Sequence, residues 1–102
     1  MIDLIKTNRA EIAALCRKFK VQRLDLFGSA TCDRFDPARS DVDFVYTFQP
    51  VPPGEYADNF FGLAYSLEAL LGRRVDLVSD KSIRNPYFRE EIEETRQPLY
   101  EA

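Results

Sequence analysis

The 102-residue chain contains no histidine and only two cysteines, and each scarcity excludes a class of site. Without histidine, zinc sites built from Cys and His ligands are nearly excluded, as is any mechanism that needs a histidine base. Cys16 and Cys32 stand apart, with no CxxC spacing. A disulfide between them is possible but is not expected in a cytosolic protein. We interpret Cys16 as a core residue on a helix and assign Cys32 no role.

The chain also lacks any apolar run near the roughly 20 residues that a membrane span requires. Its first residues, MIDLIKTNRAE, do not place a basic segment before an apolar core, as a signal peptide would. These absences predict a cytoplasmic protein with no membrane contact. The length predicts a single domain over residues 1–102. A net charge of -3 does not suggest the positively charged surface that usually binds nucleic acid. It remains compatible with a small anionic substrate that is carried with a metal ion.

Hydrophobic periodicity predicts alternating helices and strands. An amphipathic first helix ends near residues 18–20, and a glycine or proline marks several later boundaries. The predicted elements after it are a strand at Val21–Phe27, a helical turn at 29–31, a strand at Val42–Phe48, a helix at 56–71, a strand at 75–78 and a helix from Pro86 to about Thr95. The order α-β-(short α)-β-α-β-α predicts an α/β protein, a small sheet with helices packed against it.

Asp41 and Asp43 occur one residue apart where the second strand begins. Side chains at i and i+2 of a strand point to the same face, so the two carboxylates are expected roughly 6 to 7 Å apart at their bases. Such a pair repels unless a cation lies between its members, and Mg²⁺ prefers carboxylate and phosphate oxygens. A solvated strand end is the alternative interpretation of Asp-x-Asp taken alone.

Gly28 and Ser29 follow the first predicted strand and open the helical turn. Glycine permits a tight turn and a close backbone approach, and free N–H groups at a helix start attract phosphate. Gly-Ser after a strand is often an ordinary turn. Its combination with Asp-x-Asp, between two strands, is much more specific for phosphate and metal chemistry.

Asp76 is a third carboxylate, placed within the short predicted strand RVDLV. It could face water from an edge strand. Alternatively, its strand neighbours Val42–Phe48 and completes a cluster with Asp41 and Asp43. Three carboxylates could hold two metal ions, one on a triphosphate and one at an attacking hydroxyl, which Asp76 would orient or deprotonate.

Gly28-Ser29, Asp41-Val42-Asp43 and Asp76 together resemble the signature of the nucleotidyltransferase superfamily with the DNA polymerase β-like fold, which is built on a small mixed sheet. The short length and the segments LFGSA, SDVDF, LGRRVDLVS and RQPLYEA are similar to the minimal nucleotidyltransferase (MNT) proteins, antitoxins paired with HEPN-domain toxins. The resemblance spans nearly the whole chain.

The resemblance implies roles for these residues. Gly28 and Ser29 would bind the phosphates of an NTP, and Asp41, Asp43 and Asp76 would be the catalytic carboxylates that hold one or two Mg²⁺ ions. The implied reaction transfers AMP from ATP to a hydroxyl, typically a tyrosine of the HEPN toxin, which is thereby inactivated. A hetero-oligomer with the toxin, or a homo-oligomer, is compatible with this role.

One departure from the family pattern concerns activity. The family commonly has GSxARG, whereas this chain has GSATCD, so Cys32 and Asp33 occupy the positions of that Arg-Gly pair. Asp33 adds a negative charge where the family has a positive one, and Arg34 or Arg39 could substitute. Two alternatives therefore stay open: a weak or inactive member that neutralises its partner by binding alone, and transfer to a small molecule, against which the lack of a substrate domain argues.

Overall fold

A four-stranded mixed sheet forms the centre of the protein, for which a computed structural model describes residues 1–102. Its strands lie in the order β3-β2-β1-β4. β1 pairs antiparallel with β2 and β4, whereas β2 and β3 are parallel. The elements are α1 (Asp3–Thr7), α2 (Arg9–Lys18), β1 (Val21–Phe27), β2 (Val42–Phe48), α3 (Pro53–Leu71), β3 (Val75–Ser79), α4 (Pro86–Thr95) and β4 (Gln97–Glu101), with 3-10 turns at Gly28–Thr31 and Asp80–Ser82. The predicted mixed sheet flanked by helices is thus confirmed.

The two faces of the sheet bury different partners. Leu24, Leu26 and Phe44 belong to the main core, into which α1, α2 and α3 also send their buried side chains. The alternate strand positions face the other way, where Phe27 and Val45 pack against Ile92 of α4. Asp43 lies two residues before Val45, so it shares the face that α4 covers.

Several boundaries differ from the sequence-based predictions. The first helix is divided at Asn8, whose side-chain Nδ2 donates to the Leu4 carbonyl (2.9 Å) and ends the first segment. α3 begins at Pro53 rather than at Tyr56, because proline suits the first turn of a helix. β3 extends by one residue to Ser79.

The predicted element order was wrong in omitting β4. This strand contains Pro98 and buries only Leu99, so it lacks the alternating pattern of a half-buried strand. Proline is tolerated in it because β4 lies at the edge of the sheet. Pairing with β1, rather than local sequence, therefore specifies it. None of the helices combines the length and apolarity needed to cross a membrane.

Candidate active site

Three strands place Phe27, Asp43 and Asp76 side by side. Phe27 of β1 pairs with Asp43 of β2, and Asp43 pairs with Asp76 of the parallel strand β3. Residues in register on adjacent strands lie about 5 Å apart and project to the same face. Asp76 thus lies on an edge strand, exposed to solvent, and it also neighbours Asp43, as the second interpretation of its position expects for that pair.

Gly28 brings the backbone of the first turn against Asp43. Its φ of +76° lies in the left-handed region, and a Cβ at this position would meet Asp43 Oδ2 at 2.7 Å. The Gly28 N–H donates to Thr95 Oγ1 of α4 (2.9 Å), while Thr31 Oγ1 donates to the Gly28 carbonyl (2.7 Å). The Gly-Ser turn is therefore held between the Asp43 carboxylate on one side and the end of α4 on the other.

A cleft of about 530 Å³ opens beside this turn. It contains four carboxylates, two from the sheet and two from α4, but a single cationic side chain, Arg34. Its lining comprises Phe27, Gly28, Ser29, Arg34, Asp43, Asp76, Phe88, Glu91, Glu94 and Thr95. Of the five residues predicted from sequence, the structure thus gathers four in one cleft.

Glu91 and Glu94 are cleft residues that the sequence analysis did not single out. Phe88, Glu91 and Thr95 recur at helical spacing and share the cleft, next to the buried Ile92. That spacing of an aromatic, a carboxylate and a hydroxyl on one helix face was the only available signal.

The carboxylates of the cleft repel one another. Partial burial, together with the charges of Asp76, Asp41 and Glu91, raises the pKa of Asp43 from 3.8 to about 6. A bound cation would relieve this repulsion. Asp43 and Asp76 suit Mg²⁺, which typically takes one or two carboxylates and completes its coordination with substrate phosphates and water.

Asp41 lies outside this cleft. It precedes the first residue of β2, is exposed, and lines a separate pocket with Arg39 and Arg74. No group of three or more His, Cys, Asp or Glu side chains is arranged to hold a metal ion. The structure therefore brings Asp43 and Asp76 together and leaves Asp41 at the margin.

Arg34, rather than Arg39, is the arginine that lines the cleft. Its Nε lies 3.4 Å from the sulfur of Cys32, the residue at the position of the missing family arginine. The hydrogen bond from Arg34 lowers the pKa of the Cys32 thiol. Arg34 thus brings a guanidinium into the cleft, although it lies two residues after the position at which the family has its arginine.

Comparison with protein families decides the assignment. The family described as "Nucleotidyltransferase domain" matches residues 11–99. The chain belongs to the nucleotidyltransferase family. This assignment confirms the family and the enzyme class that the resemblance implied.

Three curated relatives of this nucleotidyltransferase come from Methanocaldococcus jannaschii and are named as candidate protein adenylyltransferases. MJ0128 is 39% identical over 80 residues, covering 78% of each chain. MJ1379 is 36% identical over 77 residues, covering 76% of this chain and 75% of the relative.

Solved structures share the fold of the nucleotidyltransferase. One, described as a candidate minimal nucleotidyltransferase, superposes with a TM-score of 0.75 at 30% identity, covering 96% of this chain and 97% of the other. A chain in a complex of tri-AMPylated Shewanella oneidensis HEPN toxin with MNT antitoxin gives a TM-score of 0.62 at 22% identity, covering 95% and 72%. A toxin–antitoxin structure with AMP-PNP gives 0.68 at 23%, covering 93% and 74%.

A buried ion pair anchors α4 beside the cleft of the nucleotidyltransferase. Asp25 of β1 is fully buried, and its carboxylate accepts from Arg96 Nε (2.7 Å) and pairs with Arg23 Nη2 (2.8 Å). Arg96 immediately follows α4, and Arg89 of that helix also bonds Asp80 after β3. These contacts fix the helix that carries Glu91 and Thr95 onto the sheet.

Proposed function

We propose that this nucleotidyltransferase transfers AMP from ATP to a hydroxyl of a partner protein. The acceptor is a tyrosine of a HEPN-type toxin, and the modification makes the chain an antitoxin. The observation that carries the proposal is the in-register pair Asp43 and Asp76 beside the Gly28–Ser29 turn, in one cleft with Arg34. The M. jannaschii relatives, named for transfer to protein, support a protein acceptor.

The donor nucleotide binds at the Gly28–Ser29 turn. The Ser29 hydroxyl donates to phosphate oxygens, and Arg34, the single cation of the cleft, neutralises phosphate charge. This role of Arg34 compensates for the arginine that the GSATCD segment lacks. Asp43 and Asp76 would hold Mg²⁺, which when bound neutralises charge on the transferring phosphoryl group. Asp41, whose charge acts on Asp43 from just outside the cleft, would be the third carboxylate near the ion.

Asp76 orients the acceptor and takes its proton. It is the more exposed member of the pair and lies on the edge strand, so a protein acceptor reaches it from solvent. As the acceptor oxygen bonds the α-phosphorus, the bond from that phosphorus to the bridging oxygen breaks and pyrophosphate leaves. The acceptor proton passes to the Asp76 carboxylate. The reaction is accelerated because the acceptor hydroxyl is positioned next to the α-phosphorus and because negative charge on the phosphoryl group is neutralised.

The toxin partner is supported by the fold. The antitoxin in the S. oneidensis complex accompanies an AMPylated HEPN toxin, and a chain of that complex shares this fold. The rival function is masking of the partner by binding alone, which Cys32 and Asp33 at the family's Arg-Gly positions favour. Arg34 in the cleft favours the enzyme.

Intact mass spectrometry separates the two functions. The chain is incubated with a HEPN-type toxin as the candidate partner, with ATP and Mg²⁺, and the intact mass of the toxin is measured. We expect added AMP with the wild type and with Asp58→Asn, an exposed carboxylate on α3, but not with Asp43→Asn or Asp76→Asn. A tight complex with no adduct would leave binding alone as the function.

A further inference from the structure

A second pocket, of opposite charge, lies at the same end of the sheet as the carboxylate cleft. Its volume is about 450 Å³, and it lies between the segment 37–41 and the turn 72–74. Its lining contains three arginines, Arg39, Arg73 and Arg74, and a single carboxylate, Asp41. Such a concentration of positive charge is unexpected in a chain whose net charge is -3. We call it the arginine pocket.

Arg73 builds the wall of the arginine pocket. Its Nη1 donates to the Pro37 carbonyl (3.1 Å), and its guanidinium lies 4.9 Å from the centre of the Phe35 ring. These contacts tie the loop before β2 to the turn before β3. The Arg73 Nε is buried and has no hydrogen-bond partner, so this guanidinium acts as a fixed part of the pocket and contributes its positive charge.

Arg39 and Arg74 are the free cations of the pocket. Both are exposed, and neither side chain forms an ion pair or a hydrogen bond within the protein. Backbone bonds hold Arg39 in place, because its N–H donates to the Asp36 carbonyl (3.1 Å), as does that of Ser40 (2.8 Å). Two guanidiniums are thus presented to solvent from an ordered frame.

The arginine pocket adjoins the acceptor side of the proposed reaction. Arg74 precedes Asp76 by two residues, and its carbonyl accepts from the Val42 N–H (3.1 Å) at the start of the parallel pair. β3 is an edge strand, so a protein that brings a hydroxyl to Asp76 passes beside Arg74. The donor turn at Gly28–Ser29 lies in the other cleft.

We propose that the arginine pocket binds acidic side chains that flank the acceptor hydroxyl, so that the enzyme selects hydroxyls in acidic peptide segments. This inference rests on the proposed transfer to protein. Carboxylates bind guanidiniums through charge-assisted hydrogen bonds, and the pocket has room for one or two such side chains. A nucleic acid fits less well, because its other phosphates would meet Asp43, Asp76, Glu91 and Glu94 next to the pocket.

Fluorescence anisotropy tests the pocket without ATP. One labelled heptapeptide has a central tyrosine flanked by glutamates, and its counterpart has glutamines instead. We expect the wild type to bind the glutamate peptide about tenfold more tightly, as charge-assisted bonds allow. The double variant Arg39→Glu/Arg74→Glu should lose this preference. The control Arg17→Glu/Arg84→Glu, with the same charge change at exposed unpaired arginines, should keep it.

Three results would overturn the inference: no measurable binding of the glutamate peptide, equal binding of both peptides, or a preference that survives in Arg39→Glu/Arg74→Glu. Tighter binding of an oligouridylate, lost in the same variant, would assign the pocket to nucleic acid instead.

AMP transfer to the two peptides separates this inference from the proposed function. Equal transfer to both peptides contradicts the pocket's role but leaves the adenylyltransferase intact. Preferential binding of the glutamate peptide with no transfer to any acceptor, the toxin included, contradicts the proposed function but leaves the pocket as a binding site.

Discussion

Gly28 cannot carry a side chain without displacing Asp43, because its φ is positive and its Cβ would lie 2.7 Å from Asp43 Oδ2. Gly72 shares the positive φ (+67°) but has no atom within 4 Å of its Cβ position. Both alanine variants should lose about 1 kcal/mol of stability from backbone strain.

Only Gly28→Ala should also lose AMP transfer, since it alone moves a cleft carboxylate. Urea unfolding and the toxin adduct measured in parallel check this pair. Comparable transfer by the two variants would show that the close approach of Gly28 to Asp43 has no catalytic role.

The raised pKa of Asp43 has a cost for folding that depends on pH. Because the pKa is about 6 in the folded chain and 3.8 when unperturbed, ionisation destabilises the fold progressively as the pH rises from about 4 to 6. Asp43→Asn should therefore raise the free energy of unfolding of the metal-free protein at pH 7.5 by about 1–2 kcal/mol, a value reduced for solvent screening at this partly exposed group.

Urea titrations at pH 7.5 and pH 4 measure this effect. The gain should nearly vanish at the lower pH, and Asp58→Asn should show no gain at either. If Asp43→Asn is less stable than the wild type at pH 7.5, the ionised Asp43 carboxylate does not destabilise the metal-free protein, which contradicts the prediction.

Cys32 reports the position of Arg34. The hydrogen bond from Arg34 lowers the pKa of the Cys32 thiol, whereas burial raises the pKa of Cys16 to about 12. Iodoacetamide at neutral pH should alkylate Cys32 first and leave Cys16 unmodified in the folded chain. Arg34→Met should slow alkylation of Cys32 by about twofold to tenfold, measured by peptide mass spectrometry. An unchanged rate would place the guanidinium away from Cys32 and weaken its assignment to phosphate binding.

At the scale of elements, α4 depends on the pair Arg96–Asp25. Asp25 is fully buried, and removing Arg96 would leave it with the half-exposed Arg23 as its remaining partner. Arg96→Met should cost about 2–4 kcal/mol of unfolding free energy, because the buried carboxylate loses its more buried cationic partner and keeps only the half-exposed one.

Glu55→Gln is the control, since it breaks the exposed pair with Lys20 and should cost less than about 1 kcal/mol. Chemical denaturation of the two variants measures the difference. Equal losses would show that the buried pair does not anchor α4.

Most helices and strands can be predicted from the local sequence pattern, whereas β4 and the buried ion pairs depend on contacts between distant parts of the chain. β1 and β2 have the predicted bounds because β-branched, aromatic and leucine side chains predominate in them. α4 has its predicted bounds because Asn85 caps it and Pro86 begins it. β4 has no such pattern and forms by pairing with β1. Buried ion pairs such as Arg96–Asp25 bring together residues distant in sequence, so no local pattern indicates them.

At the scale of the whole molecule, the sequence predicts the site residues that lie within strands but not those that lie in loops and helices. Asp43 and Asp76 lie within paired strands, so alternation and register bring them together. Asp41 lies just outside β2, where alternation no longer fixes its direction. Arg34, Glu91 and Glu94 enter the cleft through packing of a loop and a helix against the sheet, which the sequence pattern does not contain.

Two pockets of opposite charge occupy one end of the sheet and divide the proposed substrates between them. In the proposed reaction, the carboxylate cleft with Arg34 would receive the nucleotide, and the arginine pocket would receive the acidic side chains beside the acceptor hydroxyl. The charge separation is local, because the chain as a whole carries only -3.

The most direct test of AMP transfer compares ATP labelled at the α-phosphate with ATP labelled at the γ-phosphate. Each is incubated with the chain, the proposed HEPN-type toxin and Mg²⁺, and label on the toxin is counted after denaturing electrophoresis. The α-label should appear on the toxin, dependent on Asp43 and Asp76, while the γ-label is released as pyrophosphate. Label from the γ-phosphate on the toxin, or none from either, would contradict the account.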